Sequence, residues 1–239
     1  MKIFLLIGQS NMAGPSCTRW DEEDDDRLEG VFLLNAEDKW EKAKNPLNAY
    51  STVKWQPYPG LSPGVTFAQT LKAAYPNESI GLISNARGAS KIAEWQKGER
   101  YFEEAVRRAK AACGEDRLAG ILWLQGEQDT PLPADYENYD EKLRRFIFDI
   151  RDALGGQDIP FIACEIWGGN VAIAPEEART GIKEVNRQIA SVIAETEYCA
   201  MTQSAGLTHT KGDEVHFDAP AMRILGRRFA ETYLHTFAK

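Results

Sequence analysis

The stretch KIFLLIGQSNM at residues 2–12 decides the fold class of this 239-residue chain. Its unbroken apolar run is typical of a strand that is covered on both faces of a parallel sheet. Gly8 then permits a sharp turn, and Ser10 at such a turn presents its hydroxyl beside backbone N–H groups. An ordinary turn in which Ser10 caps a helix fits the same residues at least as well. The stretch therefore predicts a buried strand and leaves the role of Ser10 open.

Further short apolar runs alternate with helical patterns along the chain. The predicted strands are Lys2–Ile7, Val31–Asn35, Ile80–Ser84, Leu118–Leu124, Pro160–Ile166 and Tyr198–Thr202. Apolar stripes at helical spacing cover residues 102–113, 136–150, 185–193 and 222–233. Asp135 and Asp218 are the expected N-caps of the second and fourth of these helices. Strands separated by such helices predict an α/β fold, a three-layer α/β/α sandwich with a mainly parallel sheet.

No internal repeat, low-complexity tract or linker divides the chain, so we expect a single domain over residues 1–239. Two segments interrupt the regular pattern. The acidic run Trp20–Glu29, with consecutive acidic residues at 21–26, is expected to be a solvated loop, since it lacks the alternating ligands and the glycine of a calcium loop. The stretch Lys39–Gly64 holds four prolines and is too long for an idle connection. We expect it to lie over the sheet edge or over the functional site.

Composition and charge exclude several classes of function. The chain has 28 Lys and Arg against 36 Asp and Glu, and the resulting formal charge of −8 argues against a nucleic-acid partner or an anionic membrane. Its four cysteines form no CxxC or CxxH pair, so zinc ribbons and thioredoxin-like centres are excluded and reduced thiols are expected. The apolar run at the start is shorter than the roughly 7–15 residues of a signal-peptide core, and no stretch approaches the ~20 of a membrane span. We expect a cytoplasmic protein, although a chain from which a signal had been removed would look the same.

Four segments beside the ends of strands or before the last helix carry candidate chemistry, because ligands of open parallel sheets bind at the carboxyl ends of the strands. They are Gly8–Met12, Asn85–Ser90, Trp123–Asp129 and Asp213–Phe217. Serine is a weak nucleophile unless a neighbouring base accepts its proton, and that base needs a carboxylate to orient it. Of the three histidines, His216 has the best-placed partner, Asp213, three residues before it on a loop. A lone DxxH pattern is equally typical of a loop without function.

The two remaining segments offer donors for a developing oxyanion. Gln125, at a strand end, could present its amide N–H, and Gly88 could aim a backbone N–H inward. Each of these segments is also consistent with an ordinary surface loop. Their order along the chain and their shared position at strand ends together favour a hydrolase.

The blocks GQSNM at residues 8–12, QGE at residues 125–127 followed by Asp129, and DxxH at residues 213–216 resemble a branch of the SGNH hydrolases. This branch contains sialate O-acetylesterases and acetylxylan esterase-like proteins, and it is similar to carbohydrate esterase family 6. The resemblance spans the chain from residue 3 to about residue 230, with the blocks in the family's order. It implies a flavodoxin-like fold and a serine esterase that removes O-acetyl groups from a small acetylated saccharide. It also implies an acetyl-enzyme intermediate and no metal or organic cofactor.

The same resemblance implies roles for individual residues. Ser10 corresponds to the nucleophile, His216 to the general base and Asp213 to the carboxylate that orients the base. The family's oxyanion donors map onto the N–H of Ser10, the N–H of Gly88 and the side chain of Gln125.

Two departures from the family pattern bear on the substrate. Gln9 precedes the serine where the wider SGNH group has an aspartate, which favours a carbohydrate over a lipid or thioester. Arg87 stands where relatives usually have glycine; it could hold a substrate carboxylate, as in a sialic or uronic acid, but a surface ion pair is the preferred interpretation. Glu127 could support the histidine, position its own loop or contact substrate. Gln9 and Asn11 are further candidates for contacting substrate or supporting the site.

Aromatic residues could supply the sugar-binding surface. Trp20, Trp55 and Trp95 lie in or near predicted loops and could stack on a sugar ring, although core packing is the more common role of tryptophan. Two alternatives to a carbohydrate acetylesterase stay open at this point. One is a catalytically weak sugar-binding protein of the same fold, and the other is an esterase for a short-chain non-sugar ester.

Overall fold

The computed structural model describes residues 1–21, 28–57, 60–114, 116–167, 172 and 174–238. Its strands are β1 (Lys2–Gly8), β2 (Val31–Leu34), β3 (Trp40–Lys42), β4 (Ile80–Ser84), β5 (Leu118–Leu124), β6 (Phe161–Cys164) and β7 (Cys199–Thr202). They form one sheet in the order β3-β2-β4-β1-β5-β6-β7. Every neighbouring pair is parallel except β2 and β3. The prediction of an α/β fold with a mainly parallel sheet is confirmed.

Helices cover both faces of this sheet. They are α1 (Ser10–Ala13), α2 (Gly64–Ala74), α3 (Arg100–Cys113), α4 (Pro133–Tyr136), α5 (Tyr139–Ala153), α6 (Glu176–Glu195) and α7 (Ala219–Thr236). In β1, Ile3, Leu5 and Ile7 pack with α3, α5 and α6, whereas Phe4 and Leu6 pack with α2 and α7. The unbroken apolar run of β1 thus serves two cores, one on each face. Within the described part of the chain, no helix is long and apolar enough to cross a bilayer.

Two predicted helix starts have different outcomes. Asp218 is the N-cap of α7, where its carboxylate accepts the N–H of Ala221 at 2.9 Å, as predicted. Asp135 is not a cap: it lies within α4, and its carboxylate accepts hydrogen bonds from Lys91 Nζ at 2.8 Å. The single helix predicted here is two helices, because the backbone of Asn138 leaves the helical region (φ −121°, ψ 33°) before α5 begins.

The segment Lys39–Gly64 reaches both of the places expected for it. Strand β3 extends the sheet edge antiparallel to β2. Beyond it, Asn48 pairs with the peptide of Ala86 just after β4: Oδ1 accepts the Ala86 N–H at 3.0 Å and Nδ2 donates to the Ala86 oxygen at 3.2 Å. The Ser51 hydroxyl donates to the same oxygen at 3.0 Å. The segment is therefore fastened to the carboxyl end of β4. The acidic run was predicted to be a solvated loop. Most of its acidic residues, at positions 22–26, lie outside the described ranges.

Strand β1 occupies the topological switch point of the sheet. Its parallel neighbours are β4 on one side and β5 on the other. In open α/β sheets, ligands bind in the crevice outside the carboxyl ends of such strands. The segments Gly8–Met12, Asn85–Ser90 and Gln125–Asp129 follow these three strands directly. They therefore meet at one edge of the sheet.

Candidate active site

The turn after β1 places Ser10 at the first position of α1. Gly8 has a φ of 135°, and a Cβ at this residue would lie 2.1 Å from the Leu124 carbonyl oxygen at the end of β5. A side chain is therefore excluded here both by the backbone conformation and by the neighbouring strand. The next residue, Gln9, donates its N–H to the same carbonyl at 2.8 Å. This close approach of β1 to β5 fixes the turn that presents Ser10.

Ser10, His216 and Asp213 form a continuous chain of hydrogen bonds. His216 Nε2 lies 2.8 Å from Ser10 Oγ, across a separation of 206 residues in the sequence. His216 Nδ1 lies 2.7 Å from Asp213 Oδ2. The DxxH block lies on the loop before α7, and this loop folds back over the turn after β1. The structure thus brings together the three residues predicted to act as nucleophile, base and orienting carboxylate.

Asp213 is held as an anion by its surroundings. Oδ1 accepts the N–H groups of Val215 and His216, each at 3.0 Å. Partial burial by itself raises the pKa of this carboxyl, but the hydrogen bonds from His216 and from the two backbone amides outweigh it. The pKa of Asp213 is therefore lowered from its ordinary value. An ionised Asp213 is the state that can orient His216 and stabilise its protonated form.

Asn11 holds the residues on both sides of His216. Its Oδ1 accepts the N–H of Phe217 at 3.2 Å, and its Nδ2 donates to the carbonyl of Val215 at 3.2 Å. The same Nδ2 donates to Glu127 Oε1 at 2.7 Å. Asn11 therefore links the nucleophile turn, the loop after β5 and the histidine loop.

Glu127 is a buried carboxyl beside this network. Burial raises the pKa of Glu127, although the hydrogen bond from Asn11 and the charge of His216 act in the opposite direction. Its Oε2 has no hydrogen-bond partner within the described ranges. Glu127 also lines the cavity next to the triad, although its Oε2 is buried. Of the three roles predicted as alternatives, the contact with Asn11 favours support of the histidine loop.

The environment of Gln125 differs from the one expected for an oxyanion donor. The Gln125 side chain is 0% exposed, its Nε2 donates to the Ser90 carbonyl at 2.8 Å and to Asp129, and its Oε1 accepts from the Tyr139 hydroxyl at 3.0 Å. Both amide hydrogens of Gln125 already have acceptors, so the geometry does not support its predicted role as an oxyanion donor. Burial of Asp129 in this group raises its pKa to about 7, although hydrogen bonds from Gln125 and the Ile92 N–H lower it.

Gln9 has the free donor that Gln125 lacks. Its Oε1 accepts the N–H groups of Gly126 at 3.2 Å and Gln128 at 3.4 Å, which fixes the orientation of the amide. Gln9 lines the cavity beside Ser10. Among the residues described, none accepts a hydrogen bond from its Nε2. The amide nitrogen is therefore available to a molecule in the cavity.

The loop after β4 borders the same cavity through Ala89. The N–H groups of Ser10 and Gly88 have no acceptor in the part of the chain that the structure describes. Arg87 lies with its guanidinium 5.3 Å from the Trp55 ring centroid and 5.6 Å from that of Tyr101, and its Nε donates to the Tyr101 hydroxyl at 2.9 Å. No ion pair joins Arg87 to any described carboxylate, so the preferred interpretation of Arg87 as an ion-pair residue is not supported.

A cavity of about 480 Å³ opens beside the triad. Of the three tryptophans considered as sugar platforms, Trp55 alone lies in the described wall, with 59% of its surface exposed. Trp95 is fully buried and packs edge-on against Trp123, with 5.4 Å between the ring centroids. Trp20 is exposed and lies outside the described part of the wall. Cys17 is a wall residue that no motif of the sequence indicated.

Comparisons with known proteins show the family to which the chain belongs. A family model described as "Carbohydrate esterase, sialic acid-specific acetylesterase" matches residues 1–235. A probable carbohydrate esterase of Arabidopsis thaliana is 30% identical over 253 residues, which cover 99% of this chain and 91% of that protein. The solved structure of this Arabidopsis protein has a TM-score of 0.86 and 28% identity, and the match covers 99% of this chain and 98% of that one.

More distant solved structures share the fold. NanS has a TM-score of 0.77 and 16% identity, over 98% of this chain and 96% of that one. A variant of Axe2, an acetyl xylan esterase from Geobacillus stearothermophilus, has a TM-score of 0.61 and 14% identity, over 97% and 94% of the two chains. At these identities the likeness concerns the fold alone.

Proposed function

The chain belongs to the carbohydrate esterase family of sialic acid-specific acetylesterases and is a carbohydrate O-acetylesterase, and we propose that it cleaves the acetyl ester of a small saccharide through an acetyl-enzyme intermediate on Ser10. The observation that carries this proposal is the hydrogen-bonded series Ser10, His216 and Asp213 at the wall of a cavity. We also propose that residues 1–239 form one catalytic domain, since the three residues come from both ends of the chain.

In the first step, His216 Nε2 accepts the proton of Ser10 Oγ while the oxygen attacks the acetyl carbonyl. The 2.8 Å contact between the two atoms is the geometry that this proton transfer needs. Asp213 holds the imidazole so that Nδ1 carries hydrogen and Nε2 carries the lone pair. When the tetrahedral intermediate collapses, the sugar alcohol leaves with the proton from His216 and the acetyl group stays on Ser10.

Three donors are proposed for the oxyanion that forms in this step. The backbone N–H groups of Ser10 and Gly88 keep the role that the resemblance implies for them. We assign the third donor to Gln9 Nε2 instead of Gln125, because the Gln9 amide is fixed through its oxygen and Gln9 lines the cavity. Each such donor contributes roughly 3–4 kcal/mol to the transition state.

In the second step, a water molecule enters the cavity and repeats the sequence on the acetyl-enzyme. His216 accepts a proton from the water, and the acetate leaves as Ser10 regains its proton.

The charges around the cavity favour a neutral saccharide. The described wall residues include Glu127, Glu177 and Asp213 and no Lys or Arg. An anionic sugar would bring its carboxylate near these groups without a paired cation in the wall. The second candidate is an O-acetylated sialic acid, which is favoured by the guanidinium of Arg87 behind the wall residue Trp55.

Acetate release from a panel of substrates tests the proposal. The panel contains acetylated xylo-oligosaccharides, O-acetyl sialic acids, acetylated monosaccharides and p-nitrophenyl esters of increasing chain length. We expect acetate from at least one neutral sugar ester, and a loss of at least roughly 10⁴-fold in Ser10→Ala. Ser191→Ala, which removes a partly exposed serine of α6, is the matched control and should retain activity.

Three outcomes contradict the proposal in different ways. Full activity of Ser10→Ala would remove the assigned nucleophile. A chain-length profile that peaks above butyrate on p-nitrophenyl esters, with no sugar turned over, would favour an esterase for non-sugar acyl groups. Binding of glycans with no acetate released would favour the sugar-binding alternative.

A further inference from the structure

Cys17 lies at the triad although no step of the esterase reaction uses it. Its Sγ, a carboxylate oxygen of Asp213 and a ring nitrogen of His216 lie within 4.8 Å of one another. All three residues line the cavity, so a small ion can reach them from solvent. Within the described ranges, no other set of three His, Cys, Asp or Glu side chains is arranged in this way.

The three donor atoms select a class of ion. A thiolate sulfur, an imidazole nitrogen and a carboxylate oxygen are ligands of Zn²⁺ and of similar thiophilic cations, whereas Mg²⁺ and Ca²⁺ prefer oxygen alone. In a tetrahedral zinc site, these ligand atoms lie about 3.3–3.7 Å apart, given the usual Zn–S and Zn–N distances. The observed spacing leaves only small side-chain movements to reach that geometry. Three protein ligands would leave the fourth position of a tetrahedral ion to water.

We propose that a thiophilic divalent cation such as Zn²⁺ binds to Cys17, Asp213 and His216 and reversibly inhibits the esterase. The ion is an inhibitor and not a cofactor, so the reaction itself still proceeds without a metal. This inference rests on the proposed function, because the inhibition acts through His216 as the general base.

We expect inhibition whether the ion binds Nε2 or Nδ1 of His216. If the metal binds Nε2, the lone pair that should accept the Ser10 proton is already donated. If it binds Nδ1, the ring hydrogen moves to Nε2, and again no lone pair faces Ser10. Burial raises the pKa of the Cys17 thiol, so the thiol is protonated when the site is empty. Binding therefore releases the thiol proton to solvent as the sulfur–metal bond forms.

A binding experiment without turnover tests the site directly. Co²⁺, a spectroscopic substitute for Zn²⁺, is titrated into the Ser10→Ala variant, which keeps all three ligands. We expect thiolate-to-cobalt charge-transfer absorption in the near ultraviolet that saturates at one ion per chain. The band should disappear in Ser10→Ala/Cys17→Ser and persist in Ser10→Ala/Cys113→Ser, since Cys113 lies at the end of α3. Absence of the band, or its persistence without Cys17, would overturn the proposal.

An activity experiment then tests the consequence. Zn²⁺ should inhibit acetate release, a chelator should restore it, and Mg²⁺ at the same concentration should have no effect. Changing groups that only support a metal ligand already weakens metal binding by roughly 10- to 100-fold, so Cys17→Ser should raise the inhibitory Zn²⁺ concentration by at least that factor. Each variant is compared with its own zinc-free rate, and Cys113→Ser serves as the control. Equal inhibition of the parent and Cys17→Ser would overturn the proposal.

The two experiments separate this inference from the proposed function. A cobalt band that depends on Cys17, together with a parent protein that releases no acetate from any ester, would support the metal site and contradict the esterase mechanism. Acetate release that depends on Ser10 but is insensitive to Zn²⁺ would support the mechanism and contradict the inhibitory site.

Discussion

Asn11 donates a 2.7 Å hydrogen bond to Glu127, a residue 116 positions further along the chain. This bond joins the turn after β1 to the loop after β5. Because the remaining hydrogen bonds of Asn11 reach the peptides on either side of His216, the position of the base depends on a side chain next to the nucleophile. The GQSNM block therefore contains the proposed nucleophile and also holds the loop that carries the proposed base.

Replacing Asn11 by Ala should lower kcat more than it changes KM. The substitution removes the hydrogen bonds to Val215 and Phe217, so His216 loses its fixed distance to Ser10. A displacement of about 1 Å at a reacting group costs roughly 10²-fold in rate. Steady-state kinetics on p-nitrophenyl acetate measures the effect, and far-ultraviolet circular dichroism checks that the fold is kept. An unchanged kcat would show that the loop is held by other contacts.

Replacing each of the two glutamines by glutamate should affect a different property: kcat for Gln9 and thermal stability for Gln125. Gln9→Glu keeps the oxygen that accepts the Gly126 N–H and removes the free donor, so we expect kcat to fall by roughly 10²- to 10³-fold. Gln125→Glu removes the donor to Ser90 and brings a second carboxyl against Asp129, so we expect a lower Tm. A lost hydrogen bond in a buried group costs about 1–3 kcal/mol.

Kinetics and thermal unfolding of both variants decide between the two assignments. If Gln125→Glu loses kcat at an unchanged Tm while Gln9→Glu stays active, the oxyanion donor is Gln125, as the resemblance implies.

Asp129 should make the stability of the protein depend on pH in a defined window. Burial raises its pKa from 3.8 to about 7 in the folded state, so the folded protein binds a proton that the unfolded chain has released over this range. The stabilising contribution of this proton to the free energy of unfolding is fully present below pH 3.8 and decreases as the pH rises to about 7. Above that value the free energy no longer changes through Asp129.

Asp129→Asn removes this contribution, and the comparison isolates it from other titrating groups. The free energy of unfolding of Asp129→Asn minus that of the parent should increase with pH across the window and level off above it. Urea denaturation at several pH values measures the difference. A difference that is independent of pH would mean that Asp129 titrates normally.

Trp55→Ala should raise KM for saccharide esters and leave p-nitrophenyl acetate almost unaffected. The ring lies in the cavity wall with 59% of its surface exposed, where a sugar can stack on it. Loss of such a contact corresponds to a KM increase of up to roughly tenfold, or about 1.5 kcal/mol. Trp20→Ala is the matched control, because Trp20 is also exposed but lies outside the described wall. Equal effects of the two substitutions would contradict a stacking role for Trp55.

Much of the fold could be predicted because its main signals are local. Apolar runs marked six of the strands, and Asp218 marked the start of α7. Strand β3 was missed because the three residues Trp40–Lys42 carry no periodic pattern and pair only through the neighbouring β2. Asp135 was misread as a cap because its partner, Lys91, comes from a distant part of the chain.

The site was predictable to the extent that motifs place residues at strand ends. Ser10, Asp213 and His216 could be named because their blocks are short and ordered. The glutamines could not be told apart in this way, since Gln9 and Gln125 both follow neighbouring strands. Which amide faces the cavity depends on the packing of Asp129 and Tyr139 around Gln125, and the spacing of a motif does not encode such packing.

The hydrogen bonds that hold the segment Lys39–Gly64 in place bear on how the substrate specificity of this enzyme can change. Asn48 and Ser51 anchor the segment to Ala86, and the wall residue Trp55, the proposed sugar-stacking residue, lies a few residues beyond these anchors. Changes in the tip of the segment therefore alter the surface offered to the alcohol half of an ester and leave the acyl-transfer residues in place. A library that varies residues 54–57, beyond the anchored residues, is a practical route to redirect the enzyme toward other acetylated glycans without changing the proposed acyl-transfer residues.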